Sequence, residues 1–304
     1  MTDAARTQLL CVGHASIDNH LHIEALPAPP AKIAASSRGQ CVGGMSANAA
    51  TAAARLGACV AFAGPVGDDD AAAQIGAHFA AEGIDARGLV RVAGTATSVS
   101  TILIDARGER LIVTFRGEAL QQPPAFDLRW LDGVDLVLVD PRCPAWADAA
   151  LRAARARGVP AILDADIAPR ADLQRLAPLA PWVVFSEPGL AAFSDAAPEA
   201  ALCDVVAAGA AHAVVTRGER GSLWHAAGGP CRPVAAHPIR RTVDTTGAGD
   251  VFHGALGVAL AEGQSPEAAL HFAAVAAALK CERAGGALGA PTRAELDLVS
   301  RRPS

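Results

Sequence analysis

Short leucine- and valine-rich runs alternate with alanine-rich runs of helical length along most of this chain, and that rhythm leaves few folds open to it. Leu9 to Gly13 reads as a strand, Ser46 to Leu56 as a helix, Cys59 to Phe62 as a strand and Asp69 to Glu82 as a helix. Further on come a strand over Asp135 to Val139, a helix over Ala145 to Arg157, and strands over Pro160 to Leu163, Trp182 to Phe185 and Ala213 to Thr216. The expected class is α/β, with a mostly parallel central sheet flanked by helices on both faces.

Two regions depart from the rhythm. His20 to Gln40 is proline-punctuated and too irregular for a helix, while Ser98 to Ile104 and Leu111 to Phe115 frame a hairpin around Asp105 to Arg110. Ligands of open α/β sheets lie beyond the carboxyl ends of the strands, so extra antiparallel strands projecting there would form a lid that excludes water. We therefore expect one domain over 1–304, with lid strands inserted from about 18–42 and 95–118.

Composition narrows the partners. A chain of 304 residues, 51% hydrophobic, can bury a large core, which excludes disordered and fibrous classes. Twenty-six basic against 31 acidic residues give a net charge of −5 without a basic cluster, so no nucleic acid is expected and small molecules are. Seven scattered cysteines without a C-x-x-C pair read as buried, reduced thiols in a cytoplasmic protein. Met1 to Arg6 carries no apolar stretch, and the apolar helical runs are broken by Glu262, Gln264 and His271, so neither secretion nor membrane insertion is expected.

The chemistry concentrates in Val243 to Ala255, where a turn of small residues, Thr246-Gly247-Ala248-Gly249, opens a helical run and Asp250 stands at its start. Amides of a helix's first turn and its dipole attract phosphate, and glycines let the main chain approach it. A carboxylate beside a bound phosphate is useful as acceptor of the proton from an attacking hydroxyl. The bland alternative is that Asp244 and Asp250 merely cap a helix. The only lysines, Lys32 and Lys280, lie in neither a P-loop nor a V-A-I-K strand, so backbone amides at Gly247 to Asp250 must carry the phosphate's charge.

A second cluster, Gly43-Gly44 to Asn48, opens the helix at Ser46. Its glycines admit a ligand and Asn48 offers both donor and acceptor to a hydroxylated molecule, while Asp18 suits vicinal hydroxyls. A helix-start bond for Asn48 and a turn for Asp18 stay open as alternatives. A third, Thr216-Arg217-Gly218-Glu219-Arg220-Gly221, either wraps a nucleotide or simply turns a hairpin. His14, His20 and His22 lack a further ligand at convincing spacing and read as structural or surface residues, and His253 as packed near the site.

In this order and at these distances, the clusters resemble the ribokinase-like, or PfkB, carbohydrate kinases. Gly43-Gly44 through Asn48 with Gly57 and Gly67 look like that family's first signature, Asp244 to Asp250 with Gly254 like its second, and Thr216 to Gly221 like its T-x-G-x-x-G nucleotide element. The resemblance implies Asp250 as base, Gly247, Ala248 and Gly249 as anion hole, Asp18, Gly43, Gly44 and Asn48 as sugar contacts, and Thr216, Gly218 and Gly221 near ATP. It also implies MgATP as phosphoryl donor, a monovalent cation such as K⁺ at Asp244 and Thr246, and a homodimer formed through the lid. Phe185 to Leu190 and Ala278 to Cys281 look most like the sulfofructose kinase and ketohexokinase branch, which makes Lys32 and Arg142 candidate readers of the sugar's polar or anionic end.

Two departures stand out. Thr114 occupies a lid position where an amide would suit a sulfonate, and Gly189 ends Ser186-Glu187-Pro188-Gly189 where the family shows N-x-x-E, leaving either Glu187 to serve magnesium through water or ATP to hold most of the metal. The implied activity is transfer of the ATP γ-phosphate to a ketohexose or a derivative, with Asp250 at an ordinary carboxylate pKa. Ribose, a nucleoside or a sugar phosphate are alternative acceptors, as is a catalytically silent sugar sensor. The absence of Tyr and scarcity of Phe and Trp favour a sugar over a nucleoside.

Overall fold

The computed structural model describes residues 6–27, 32–107 and 110–300. In chain order the first half comprises β1 (Gln8–Val12), β2 (Ser16–His22), β3 (Ser37–Gly43), α1 (Met45–Arg55), β4 (Cys59–Gly67), α2 (Asp70–Ala81), β5 (Asp85–Val92), β6 (Val99–Ile104), β7 (Arg110–Phe115), β8 (Leu136–Val139) and α3 (Pro144–Arg157). The second half adds β9 (Ala161–Ala165), α4 (Arg170–Leu176), β10 (Trp182–Ser186), α5 (Glu187–Phe193), α6 (Pro198–Ala207), β11 (His212–Thr216), β12 (Ser222–Ala226), β13 (Arg232–Val234), α7 (Ala248–Ala261), α8 (Pro266–Cys281) and α9 (Arg293–Ser300).

Nine strands form one sheet in the order β13-β12-β11-β10-β9-β8-β1-β4-β5, parallel from β5 to β11 and antiparallel at β12 and β13. The alternation of strand side chains explains why both faces need helices. Leu9 and Cys11 pack into the core shared with α1, α7 and α8, whereas Leu10 and Val12 pack into that beneath α3, α4 and α6. The chain moves outward from β1 through β4 to β5, then returns to β1's other side at β8. Strand order reverses there, and the crevice beyond the carboxyl ends of β1 and β8 is the place such sheets reserve for a ligand.

The expected elements appear with shifted ends. β4 runs on to Gly67 rather than stopping at Phe62, and its Pro65 is tolerated because β1 pairs with it only as far as Ala63. The proline-punctuated region supplies β2 and β3 at its two ends, and these join the expected hairpin β6–β7 in a second sheet ordered β3-β2-β6-β7. One earlier expectation needs correcting: Cys11 and Cys143 are buried thiols, but Cys203 is exposed and the other four are half-buried, and all seven are free. Among the described residues no helix is long and apolar enough to cross a membrane.

Candidate active site

Two helices and three strand ends build the site. α7 begins at Gly247, whose φ of 77° is a left-handed conformation that a side chain would strain. That turn aims the first amides of α7 and the side chain of Asp250 toward α1. The two helices cross closely at Gly254, where any Cβ would run into the Ala49 carbonyl oxygen. The result joins the two sequence signatures: Asn48, on α1 and buried, donates from Nδ2 to Asp250 Oδ2 at 2.6 Å. Ala248 N–H is already held by Thr245 O at 3.2 Å, so an anion hole at this turn falls chiefly to the amides around it, at Gly247, Gly249 and Asp250.

Asp18 reaches the same corner from β2. It is buried, accepts from Ser16 Oγ at 3.0 Å, and presses against Gly43, where a Cβ would overlap its carboxylate. Gly44 starts α1 at a φ of 98°. Burial raises the Asp18 pKa, with hydrogen bonds from Ser16 and Ser100 opposing.

Three further acids at strand ends were not singled out from sequence. Asp140, just past β8 and fully buried, accepts from His14 N at 2.7 Å, Ser46 N at 3.1 Å, Ser46 Oγ at 2.6 Å and Arg142 N at 2.9 Å. It thereby ties the ends of β1 and β8 to the start of α1. Asp164 at the end of β9 is 2% exposed, lies 3.3 Å from His253 Nδ1, and its Oδ2 has no hydrogen-bond partner. Asp166 accepts from Ser186 Oγ at 2.6 Å and faces Arg142 at 3.5 Å. The available signal was position: a carboxylate closing an apolar parallel strand, as in Leu163-Asp164-Ala165-Asp166, points at the ligand end of the sheet.

These acids alter Asp250. Although Asp250 keeps a partly accessible edge, its carboxyl group is bonded to Asn48 and lies in the fields of Asp164 and His253. Burial, followed by the charge of Asp164, pushes its pKa up to about 8 against the hydrogen bond from Asn48. The expectation of an ordinary carboxylate is thus overturned. Burial and the neighbouring charges of Asp166 and Asp140 likewise hold Asp164 well above the usual carboxylate range. His253 is more than packing: it is buried, with Nδ1 2.7 Å from Gly249 O and Nε2 3.4 Å from Val184 O, and burial lowers its pKa.

Asp244 behaves oppositely. Its carboxylate meets the ammonium of the fully buried Lys280 at 3.0 Å, Thr246 N at 2.8 Å and Gly286 N at 3.2 Å, and Lys280 Nζ also donates to Asp244 O at 2.7 Å. These partners outweigh burial and bring its pKa down to about 2.

The remaining expected residues occupy the rim. Thr216 ends β11, donating to Phe185 O at 3.2 Å, and the turn through Gly218 (φ 57°) and Gly221 (φ 75°) returns the chain into β12, so the cluster is a hairpin turn whatever else it does. Glu187, exposed at the start of α5, pairs with Arg220 of that turn at 2.5 Å. Arg142 lines a cavity of about 20 Å³ with Gly13, His14, Arg116 and Cys143. Lys32 stays exposed on the connection between β2 and β3. A larger cavity of about 260 Å³, among Gln8, Cys59, Asp85 and Trp130, opens at the opposite, amino-terminal ends of the strands, away from these acids.

An open α/β sheet with first-turn helix amides, a buried carboxyl group and a side-chain amide gathered at its switch point can accommodate phosphoryl transfer to a small alcohol. The family model described as "pfkB family carbohydrate kinase" matches residues 6–293, and the chain belongs to that family; it is an ATP-dependent sugar kinase. It is 34% identical over 259 residues to the ribokinase of Bacillus subtilis (strain 168), covering 84% of this chain and 86% of that one. Similarity to the fructokinase of Klebsiella pneumoniae is 31% over 283 residues, covering 82% and 85%. Among solved structures, Arabidopsis thaliana ribokinase complexed with ribose and ATP superposes with a TM-score of 0.87 at 25% identity, over 98% of this chain and 100% of that one.

Proposed function

We propose that this chain transfers the γ-phosphoryl group of MgATP to a hydroxyl of a small sugar, a ketohexose or a ketohexose derivative with a polar or anionic end. The observation that carries the reading is the Asn48–Asp250 hydrogen bond, which puts the hydroxyl-binding amide and the base on one corner at the amino end of α7. Asp18 and Asn48 hold the sugar's hydroxyls, Asp250 takes the proton of the attacking one, and amides at Gly247, Gly249 and Asp250 neutralise charge on the transferring group. The O–H bond breaks as the new P–O bond forms, and ADP leaves. A base near pKa 8 is better matched to this task at neutral pH than an ordinary aspartate. The rim turn at Thr216, Gly218 and Gly221 is read as the nucleotide's seat, and the four-stranded sheet as the lid.

Magnesium, which arrives on ATP, supplies charge neutralisation at the phosphate oxygens. Asp164 and Asp166 fit its hydration shell, since Asp164 Oδ2 is buried without a hydrogen-bond partner; Glu187 is engaged by Arg220. The donor set at Asp244 does not suit K⁺: its carboxylate and its carbonyl oxygen both already hold the Lys280 ammonium. We read Lys280 as a built-in cation at this place.

The acceptor reading rests on the far end of the crevice. Arg142 and Arg116 face the cavity in which His14 Nε2 is buried without a partner, so a ligand carrying acceptor oxygens would find donors there. Ribose is the second reading, favoured by the identity to a ribokinase. The exposed apolar strand β7, with Leu111, Ile112, Val113 and Phe115, supports a homodimer through the lid, and seven free thiols fit a cytoplasmic location. A phosphorylation screen over ribose, fructose, tagatose, sulfofructose and sugar phosphates, with MgATP and with K⁺ against Na⁺, tests the whole. Higher kcat/KM on ribose overturns the ketohexose reading; binding of sugar without any turnover overturns the kinase.

A further inference from the structure

We infer that Cys203, His225 and Cys231, none of them part of any signature above, form a soft-metal site of the zinc class. Among the described residues this is the one group of three or more His, Cys, Asp or Glu ligand atoms gathered closely enough to hold a metal, all within 4.8 Å of one another. Tetrahedral Zn²⁺ with Zn–S of about 2.3 Å and Zn–N of about 2.0 Å requires ligand separations of about 3.3–3.8 Å. The cluster therefore needs a contraction of at most about 1 Å, within reach of side-chain rotation.

A second observation points to a ligand. His225 is 9% exposed, and its Nδ1 is buried with no hydrogen-bond partner in a protein that pairs nearly all such atoms. Cys203 and His225 are held by a helix and a strand, α6 and β12, and Cys231 by the short connection leading into β13. Two thiolates and a neutral imidazole give a Zn²⁺ complex of zero net charge, which tolerates a half-buried place. Both thiol protons leave to solvent on binding, and no redox change occurs. The Cys231 thiol meanwhile rests 3.7 Å from Glu199 O, and the fourth position falls to water or to the exposed Glu199 carboxylate. A metal here would staple α6 to the edge hairpin whose other end carries the Thr216–Gly221 turn.

The full-length protein, reduced, freed of metal by chelator and without nucleotide, is titrated with Co²⁺ and then with Zn²⁺. The expected result is one equivalent of Co²⁺ with sulfur-to-cobalt charge-transfer absorption, displaced by Zn²⁺, and protection of two thiols from a thiol reagent. Cys203→Ser, at an exposed position that leaves folding intact by circular dichroism, should abolish the charge-transfer band or weaken binding at least about tenfold, and Cys231→Ser should do the same. Absence of the band at millimolar Co²⁺, its persistence in both serine variants, or formation of a Cys203–Cys231 disulfide with no metal uptake after reduction overturns the proposal.

Discussion

Asp244 and Asp250 sit on one short stretch of chain around the start of α7, yet their carboxyl groups titrate at about 2 and about 8. The difference lies in what the fold brings to each. Asp244 is met by an ammonium and two amides, so ionisation is favoured and the group fastens the loop to α8 and to Gly286. Asp250 is met by burial and a second acid, with one amide as partner, so its proton is held tightly enough that it leaves only near neutrality. Identical side chains acquire opposite proton affinities through their surroundings alone.

The comparison breaks most completely at Asp250. Replacing it with Asn keeps the shape and a hydrogen bond to Asn48 but removes the proton acceptor, so kcat should fall by about 10³-fold, within the 10²–10⁴ expected of a general base. MgATP affinity by calorimetry should stay within a few-fold. Stability supplies a second readout. The raised Asp250 pKa contributes stability that is full below the unfolded value and lost as pH rises through about 8, so D250N should lose less stability than the parent between pH 6 and 9. Asp244 has the reverse sign: its contribution is present above the unfolded value of 3.8 and lost as pH falls toward about 2. A kcat within a few-fold of the parent would end the base assignment.

Next in size is Lys280→Met, which leaves Asp244 without its cation. Stripping one partner from a buried pair costs about 3–5 kcal/mol, and the partial exposure of Asp244 places this one near about 3. Denaturant unfolding measures it. If Lys280 is the built-in cation, the parent should show no preference for K⁺ over Na⁺ while the variant regains activity selectively with K⁺. A parent that already needs K⁺ would erase that role for Lys280.

Much of this site was readable beforehand because its signals are local. Glycine pairs, a helix start and an acid beside it are sequence neighbours, so Gly43-Gly44, Asn48 and Gly247 to Asp250 could be named as residues that gather at one corner. The strands were legible because both sheet faces are buried, which keeps each strand run apolar. What escaped depends on juxtaposition. Asp140, Asp164 and Asp166 are ordinary single acids in sequence, and the Asp250 pKa follows from burial and from a neighbour on β9 that no spacing reveals. Lys280 belongs to no phosphate motif, and only α8 brings it to Asp244; Cys203 and Cys231 give no C-x-x-C signal because different elements bring them together.

The contrast also depends on how closely α1 and α7 approach. Gly254→Ala would drive a methyl into the Ala49 carbonyl oxygen, and overpacking of this kind costs about 1–3 kcal/mol. Because the crossing sets the Asn48–Asp250 distance, kcat should drop alongside stability, whereas Gly249→Ala, which meets open space, should leave stability nearly unchanged. Thermal unfolding with steady-state rates separates the two variants, and equal stability losses would show that the crossing is not what holds the corner together.

The smallest expected effect is the sharpest test of cause. kcat/KM should rise with pH through a limb near 8 that reports the free enzyme's base, a property shared by Asp250 and Asp164 because they interact. Asp164→Asn removes the like charge at nearly constant volume. The limb should then move to lower pH, since burial and Asn48 remain while the repulsion is gone. Asn48→Ala removes the one hydrogen bond that favours the Asp250 carboxylate, so it should move the limb the other way. Opposite displacements from two near neighbours are what an electrostatic origin requires. If both variants shift the limb in one direction, burial alone sets the base and Asp164 owes its place to something other than tuning it.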